Sequence, residues 1–401
     1  MTRVWLLSVA VAVTGCNAIL DLDRYRACVD TECADATDDG SDGADALIDA
    51  PVDAPAEATC NPDADLSGDS LNCGRCGHSC LGASCANGLC TPTVLIDNMT
   101  GVAFAHVLLV DDQNVYVTSN KDLRYCPIAG CIKTSILFTQ SALPSLAAVA
   151  LSGTQFFLTS WAYADGGSGY VGDVAMIDRA NIGQPTTHLA NSPNQADTII
   201  TCGGSVCWMD RNGSTSTTIY SCGASPPCNN PKQIIQFPGI LNGPLAFDGA
   251  NVYFSDGLEI YSAPKSGATT ATTMVTAANV TSMVFTNGKL YWWESGLSNN
   301  PAIKFCTPPS CTTSTNTLVS PGPPNTIGPR LTFDATHLYW SEDSMTNGAI
   351  KRCALGGCGN APETLASQQP WPGAIAVDAT RVYWLNLQQS VSTGAVLWVA
   401  K

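Results

Sequence analysis

Histidine and basic side chains are scarce in this sequence. Four histidines and 18 lysines and arginines stand among 401 residues, against 33 acids, for a net charge of −15. No basic patch is visible along the chain, which makes nucleic acid and anionic membrane surfaces poor partners. His78, His106, His188 and His337 lie far apart in sequence, and neither HExxH nor a serine elbow is present. Zinc hydrolysis and serine-triad chemistry therefore lack their signatures, and the sequence leads us to expect a protein that is not an enzyme and carries no cofactor and no metal. Glu342 and Asp343 form an acid pair that would suit a glycosidase, but adjacent acids in a turn are ordinarily solvated. The apolar run VWLLSVAVAV (4–13) is ten residues long, half of the roughly 20 that a membrane-spanning helix needs.

What is plentiful is cysteine, nineteen in all. The apolar run follows Arg3 and ends in Val13-Thr14-Gly15-Cys16, which reads as an export signal over residues 1–15 rather than part of the fold. The ending resembles the lipobox of bacterial lipoproteins. That resemblance implies cleavage before Cys16, acylation of its new N-terminus and attachment to a membrane through lipid; the alternative is an ordinary signal peptide with Cys16 a plain thiol. Asn17 stands where Asp would favour inner-membrane retention, so the outer membrane or cell surface is the expected location. Setting Cys16 aside leaves an even number of cysteines, as a disulfide framework in an oxidising compartment requires. We assign Cys28, Cys33, Cys60, Cys73, Cys76, Cys80, Cys85, Cys90, Cys126, Cys131, Cys202, Cys207, Cys222, Cys228, Cys306, Cys311, Cys353 and Cys358 to disulfides.

Residues 16–59 hold almost no large apolar side chains, and ten acids with no base fall between Cys28 and Thr59. Such a segment cannot bury enough surface to offset its ordering entropy, and it reads as a self-repelling disordered tether. Next, DSLNCGRCGHSC (69–80) gathers three cysteines and a histidine in twelve residues. Zinc, redox chemistry and a disulfide knot are all compatible with that cluster alone. Export and the three further cysteines Cys60, Cys85 and Cys90 favour the knot, since a unit of about 30 residues without a core needs covalent staples. The stretch NCGRCGHSCLGASCANGLC resembles the Cys-rich repeat of the Stig1-like family, found also near the N-terminus of lipoproteins of gliding soil bacteria. This implies a disulfide module over 60–90 and no activity.

A repeat begins after Thr91. Its clearest copies are LAFDGANVYFSD (245–256), LTFDATHLYWSE (331–342) and IAVDATRVYWLN (375–386); weaker ones lie at 107–119, 149–160, 200–210 and 283–294. Each is an apolar strand, a turn, and a second strand with paired aromatics. Taking Tyr116, Phe157, Cys207, Tyr253, Tyr291, Tyr339 and Tyr383 as reference positions, the spacings are 41, 50, 46, 38, 48 and 44. Third strands such as AIKFC (302–306) and fourth strands such as ETLAS (363–367) complete each unit. Four short strands at this period predict an all-β fold, a seven-bladed β-propeller over 91–401. The last unit lacks a fourth strand, and PTVLIDNM (92–99) is expected to supply it and close the ring. YWSE (339–342) and YFSD (253–256) resemble the YWTD repeats of lipoprotein-receptor propellers, which have six blades.

Five cysteine pairs fall in register with this repeat, each bracketing a turn. Antiparallel order puts all five turns on one face of the disc. The opposite face carries the longer loops, where binding residues on a rigid scaffold tend to sit. There Trp161, Tyr163, Tyr170, Trp293 and Trp371 are candidates for stacking on a sugar or peptide, with Asp210, Arg211, Glu294 and Asp343 as polar contacts. Aromatics of the second strands are expected to pack blade against blade instead. The chain thus reads as an anchored binding protein for a glycan or envelope protein, with an envelope-assembly scaffold and a polysaccharide-degrading enzyme as alternatives.

Overall fold

The computed structural model describes residues 65–100, 107–118, 122–130, 135–139, 145–163, 169–181, 186–241, 243–295, 301–320, 330–387 and 393–401. All belong to one compact unit, Ala56–Lys401. Cys16, Cys28, Cys33, Cys60, Cys131, the export signal and the acidic tether lie outside the described residues. No helix among the described residues is long and apolar enough to cross a membrane.

Seven four-stranded antiparallel sheets follow one another along the chain. We number them as blade 1 (108–139), blade 2 (146–192), blade 3 (195–238), blade 4 (246–276), blade 5 (280–319), blade 6 (331–369) and blade 7 (372–400). First strands adjoin between blades 2 and 3, 4 and 5, 5 and 6, 6 and 7, and 7 and 1, while side chains of blades 1 and 2 and of blades 3 and 4 pack in shared clusters, so the ring is closed and each blade runs outward. The fourth strand of blade 7 is Thr93–Thr100, antiparallel to Thr393–Ala400 with Thr93 opposite Trp398 and Val94 opposite Leu397. The two ends of the repeat region thereby share one sheet, and no unpaired strand edge is left where the ring closes.

The second strands supply the packing between blades. All seven reference positions are buried, none more than 1% exposed, and Trp208, Trp292, Trp340 and Trp384, each following its reference residue, are fully buried. Alternation along the strand sends the two neighbours to opposite faces of the blade. Tyr339 packs toward Val382 and Trp384 of blade 7, whereas Trp340 packs toward Tyr291 and Trp293 of blade 5. Both faces of the second strand are therefore core.

The turn between first and second strands carries a second repeated device. In four blades its aspartate accepts two backbone N–H groups on Oδ1 and, on Oδ2, the hydroxyl of the tyrosine five residues on. The tyrosine bonds are Tyr116 to Asp111 at 2.6 Å, Tyr253 to Asp248 at 2.6 Å, Tyr339 to Asp334 at 2.7 Å and Tyr383 to Asp378 at 2.8 Å. Asp334 takes the N–H groups of Thr336 and His337, both at 2.8 Å, and Asp378 those of Thr380 and Arg381, both at 2.7 Å. An aspartate here fixes the turn locally and the buried tyrosine hydroxyl is satisfied in the same step. In blade 3 the two positions are Cys202 and Cys207, and a disulfide replaces the hydrogen bond.

In five blades the residue after the third strand locks blade to blade. Its N–H reaches back to the turn of its own blade: Ile128 to Gln113, Arg179 to Thr154, Lys265 to Ala250, Leu355 to Thr336 and Lys401 to Thr380. Its own side chain or carbonyl meets the preceding blade. Arg179 donates to Asp111 at 2.7 Å, Lys401 to Asp334 at 2.7 Å, and the Leu355 carbonyl accepts from Tyr291 at 3.0 Å.

The remaining disulfides confirm the expected pairs Cys222–Cys228, Cys306–Cys311 and Cys353–Cys358. In the Cys-rich module the pairs are Cys73–Cys85 and Cys80–Cys90, and Cys76 and Cys126 are disulfide-bonded as well. The module is not a free spacer. Cys73, Cys80 and Cys90 pack into one cluster with Leu365 of blade 6 and Val382, Val399 and Ala400 of blade 7. Arg75 adds hydrogen bonds to Glu363 at 3.0 Å and to the Lys401 carbonyl at 3.1 Å.

Candidate ligand-binding face

Because the first strand of each blade is innermost and the strands alternate, the turns after second strands and the connections between blades share one face. All nine sequence candidates sit at that end of their strands, but the structure divides them by burial. In blade 2 the strands Gln155–Tyr163 and Tyr170–Asp178 are nine residues each and extend into what the sequence suggests is loop. Their register sets Tyr170 opposite Tyr163 and Gly172 opposite Trp161. Three aromatics therefore meet at the tip. The Trp161 ring stands nearly perpendicular to Tyr163 (6.1 Å, 85°) and Tyr170 (5.3 Å, 89°), and the two tyrosines lie 5.0 Å apart. Tyr163 is 67% exposed and Val171 beside it 54%.

The neighbouring blade supports this tip. Arg211 pairs with Asp197, whose carboxyl burial pushes up and the guanidinium pulls back down. The hydrogen bond between the Tyr170 hydroxyl, as donor, and Tyr163 raises the Tyr170 pKa while Arg211 works against it, so the charge lies within electrostatic reach of the aromatics. Gly172 leaves room for the crossing chain, since a Cβ there would stand 2.4 Å from the Asn194 carbonyl oxygen. Asp210 is 1% exposed. It accepts from the Ser192 hydroxyl, from Asn194 N at 3.0 Å and from Asn194 Nδ2 at 2.6 Å, which pins the connection between blades 2 and 3.

Asp210 is thus inside the protein and not on its exposed face, and the same correction applies to Trp293 and Glu294. Trp293 is 2% exposed and belongs to the core between blades 5 and 6. Glu294, 5% exposed, accepts the indole N–H of Trp292 at 2.9 Å and Lys304 Nζ at 2.6 Å. Glu342 repeats the arrangement with Trp340 at 3.2 Å and Lys351 at 2.9 Å, so it is a structural acid as well. The strand Lys289–Glu294 continues through both residues placed in a loop by the sequence.

Trp371 and Asp343 form a separate locus between blades 6 and 7. Trp371 holds a left-handed φ of 46° and donates its N–H to the Ser344 carbonyl at 2.8 Å. A bulky residue in that region is strained and is kept there by its surroundings. Neither carboxylate oxygen of Asp343 is solvent-accessible or hydrogen-bonded among the described residues, and burial pushes its carboxyl up.

Three clefts among the described residues open on the other, disulfide-bearing face, which sequence reasoning did not favour. One of about 570 Å³ lies beside Arg179 between blades 1 and 2; one of about 340 Å³ lies between the Cys-rich module and blades 6 and 7. A third, of about 360 Å³, is lined by Ser205, Ser221, Asn230, Lys232, Lys265 and Ser266 together with Cys222, Gly223 and Cys228. The sulfurs of Cys73, Cys80 and Cys90 lie within 4.8 Å of one another. All three are committed to disulfides, so they offer no thiolate to a metal.

No family model matches the chain, and no curated protein matches it. Solved structures do share the fold. The chain is similar to the WD40 domain of a Toxoplasma gondii coronin, with 7% identity, a TM-score of 0.51, and coverage of 77% of this chain and 86% of that one. It is similar also to a puromycin-hydrolysing peptidase of Mycobacterium tuberculosis, with 13% identity and a TM-score of 0.51 over 73% of this chain, spanning about half (53%) of the peptidase. At these identities the likeness establishes a β-propeller and nothing further.

Proposed function

We propose that this protein is a non-catalytic binding protein of the cell envelope, anchored through lipid on Cys16, which presents the face carrying Trp161, Tyr163 and Tyr170 to a glycan. The observation that carries this reading is the aromatic tip of blade 2, where Tyr163 is 67% exposed on a strand and stands in register with Tyr170 of its neighbour. Aromatic rings offer apolar area at little cost in side-chain entropy, and rigid placement leaves less freedom to lose on binding. The Arg211–Asp197 pair beside the tip supplies polar partners for hydroxyl groups. The VTGC sequence and the acidic stretch after it support anchoring and a reach away from the membrane.

A polysaccharide array probed with the purified protein tests the binding, and metabolic labelling with a fatty acid tests the anchor. Binding to at least one neutral glycan is expected, lost in Trp161→Ala and Tyr163→Ala while the fold is retained. Binding that survives both substitutions would remove this face from the reading, and release of shortened products would require an enzyme. Label that persists in Cys16→Ser would refute the anchor.

A further inference from the structure

The cleft of about 360 Å³ between blades 3 and 4 is where the repeat gives a cation no carboxylate partner among the described residues. Arg179, Lys265 and Lys401 occupy the same place in blades 2, 4 and 7, as their matching backbone bonds to Thr154, Ala250 and Thr380 demonstrate. Two of the three are neutralised by the turn aspartate of the preceding blade, Arg179 by Asp111 and Lys401 by Asp334, each at 2.7 Å. In blade 3 the position of that aspartate is Cys202, bonded to Cys207. Lys265 Nζ consequently meets neutral groups, the carbonyls of Cys202 and Gly203, the hydroxyl of Ser205 and the ring of Phe247, and pairs with no carboxylate among the described residues.

The rest of the lining agrees with this charge. Lys232 adds a second ammonium, Ser205, Ser221 and Ser266 bring hydroxyls, Asn230 brings an amide, and no acid is among the lining residues. We propose that this cleft binds a tetrahedral oxyanion, a phosphate or sulfate group, which takes the place of the aspartate that blades 1 and 6 supply. The group is recognised by the charge of Lys265, whose three N–H groups are engaged by Cys202, Gly203 and Ser205, and by charge-assisted bonds from Lys232 together with the hydroxyl and amide donors around it. The site is on the face opposite the aromatic tip and does not depend on it.

The test is thermal unfolding of the full chain in inorganic phosphate, inorganic sulfate or chloride at matched ionic strength, so that screening is constant. Phosphate or sulfate is expected to raise Tm above chloride, because a ligand of the folded state stabilises it in proportion to its occupancy. Lys265→Met and Lys232→Met are each expected to weaken the apparent affinity by roughly tenfold, the factor for loss of one attractive charge worth about 1.4 kcal/mol. Lys232 is exposed, so its variant folds even if Lys265→Met does not. Titration with dextran sulfate and with plain dextran separates a free ion from a group borne on a polymer: dextran sulfate outcompeting the inorganic ion identifies the polymer. No anion-specific shift in the wild type, or a shift unchanged in every folded variant, overturns the proposal.

Discussion

Lys401 Nζ lies 2.7 Å from Asp334 Oδ2, the same oxygen that accepts the Tyr339 hydroxyl at 2.7 Å. One carboxylate thus joins the end of the third strand of blade 7 to the turn of blade 6 and to the buried aromatic beneath it. Burial pushes the Asp334 carboxyl up, but Lys401, two backbone N–H groups and Tyr339 together hold it well below the usual carboxylate range. A carboxyl depressed in the folded state contributes stability that is full above its unfolded value of about 3.9 and is lost as pH falls through the folded value. Asp111 and Asp248 are shifted in the same direction, with burial again opposed by the tyrosine and backbone bonds. Asp334→Asn is expected to cost about 1–3 kcal/mol at pH 7, the range for losing charged hydrogen bonds. In urea unfolding the gap between variant and wild type should narrow steadily below about pH 4. A gap that stays constant from pH 7 to pH 2 would contradict this account.

Cys202–Cys207 stands where the other clamps have Asp and Tyr, so the covalent and hydrogen-bonded versions are alternative solutions to one problem. Closing so short a loop contributes about 2 kcal/mol in the chain-entropy model. Cys202→Ala with Cys207→Ala should lose about that amount, whereas Cys202→Asp with Cys207→Tyr should recover part of it and bring a carboxylate to Lys265. Differential scanning calorimetry of the three proteins decides it; equal Tm values for the two double variants would show that the positions are not equivalent.

The blades were legible in the sequence because each second strand is buried on both faces. That favours large aromatic side chains at seven fixed places, six of them Tyr or Phe and the seventh Cys207, all with almost no exposure. The closing strand was legible from its likeness to the other fourth strands, and Thr93–Thr100 occupies that place. The same double burial hid where a second strand ends. Without alternation of apolar and polar residues, Trp293 and Glu294 look like the start of a polar loop, yet the strand continues through them. An acid at that point reads as a surface group until the indole of Trp292 and the ammonium of Lys304 are known to reach it. Equally, nothing in the sequence around Lys265 reveals that the preceding blade presents it with carbonyls where others present a carboxylate. That depends on which blade lies alongside.

Glu294 gives a direct check of its interior placement. Removing one partner from a buried charged network leaves the others uncompensated, a loss of about 3–5 kcal/mol. Glu294→Ala is therefore expected to destabilise by about that amount, and Glu294→Gln, which keeps an acceptor for the Trp292 indole, by less. Urea unfolding followed by tryptophan fluorescence measures both. A Glu294→Ala protein as stable as wild type would return this residue to the surface.

The Cys-rich module sits on the seam where the ring closes, immediately before the strand Thr93–Thr100 that completes blade 7. Its disulfides Cys73–Cys85 and Cys80–Cys90 shape the surface that packs on Leu365, Val399 and Ala400, and Arg75 ties it to Glu363 and the Lys401 carbonyl. The Arg75–Glu363 pair is half exposed and contributes at most about 1 kcal/mol, so the apolar contact must provide most of the hold. Cys80→Ser with Cys90→Ser should loosen that contact and with it the closing strand, while blades 3 and 4, remote from the module, keep their protection. Hydrogen exchange resolved by segment reads this out: faster exchange is expected in 93–100 and 393–400 and unchanged exchange in 205–223. Uniform acceleration throughout the ring would mean that the module supports the propeller as a whole and not its seam.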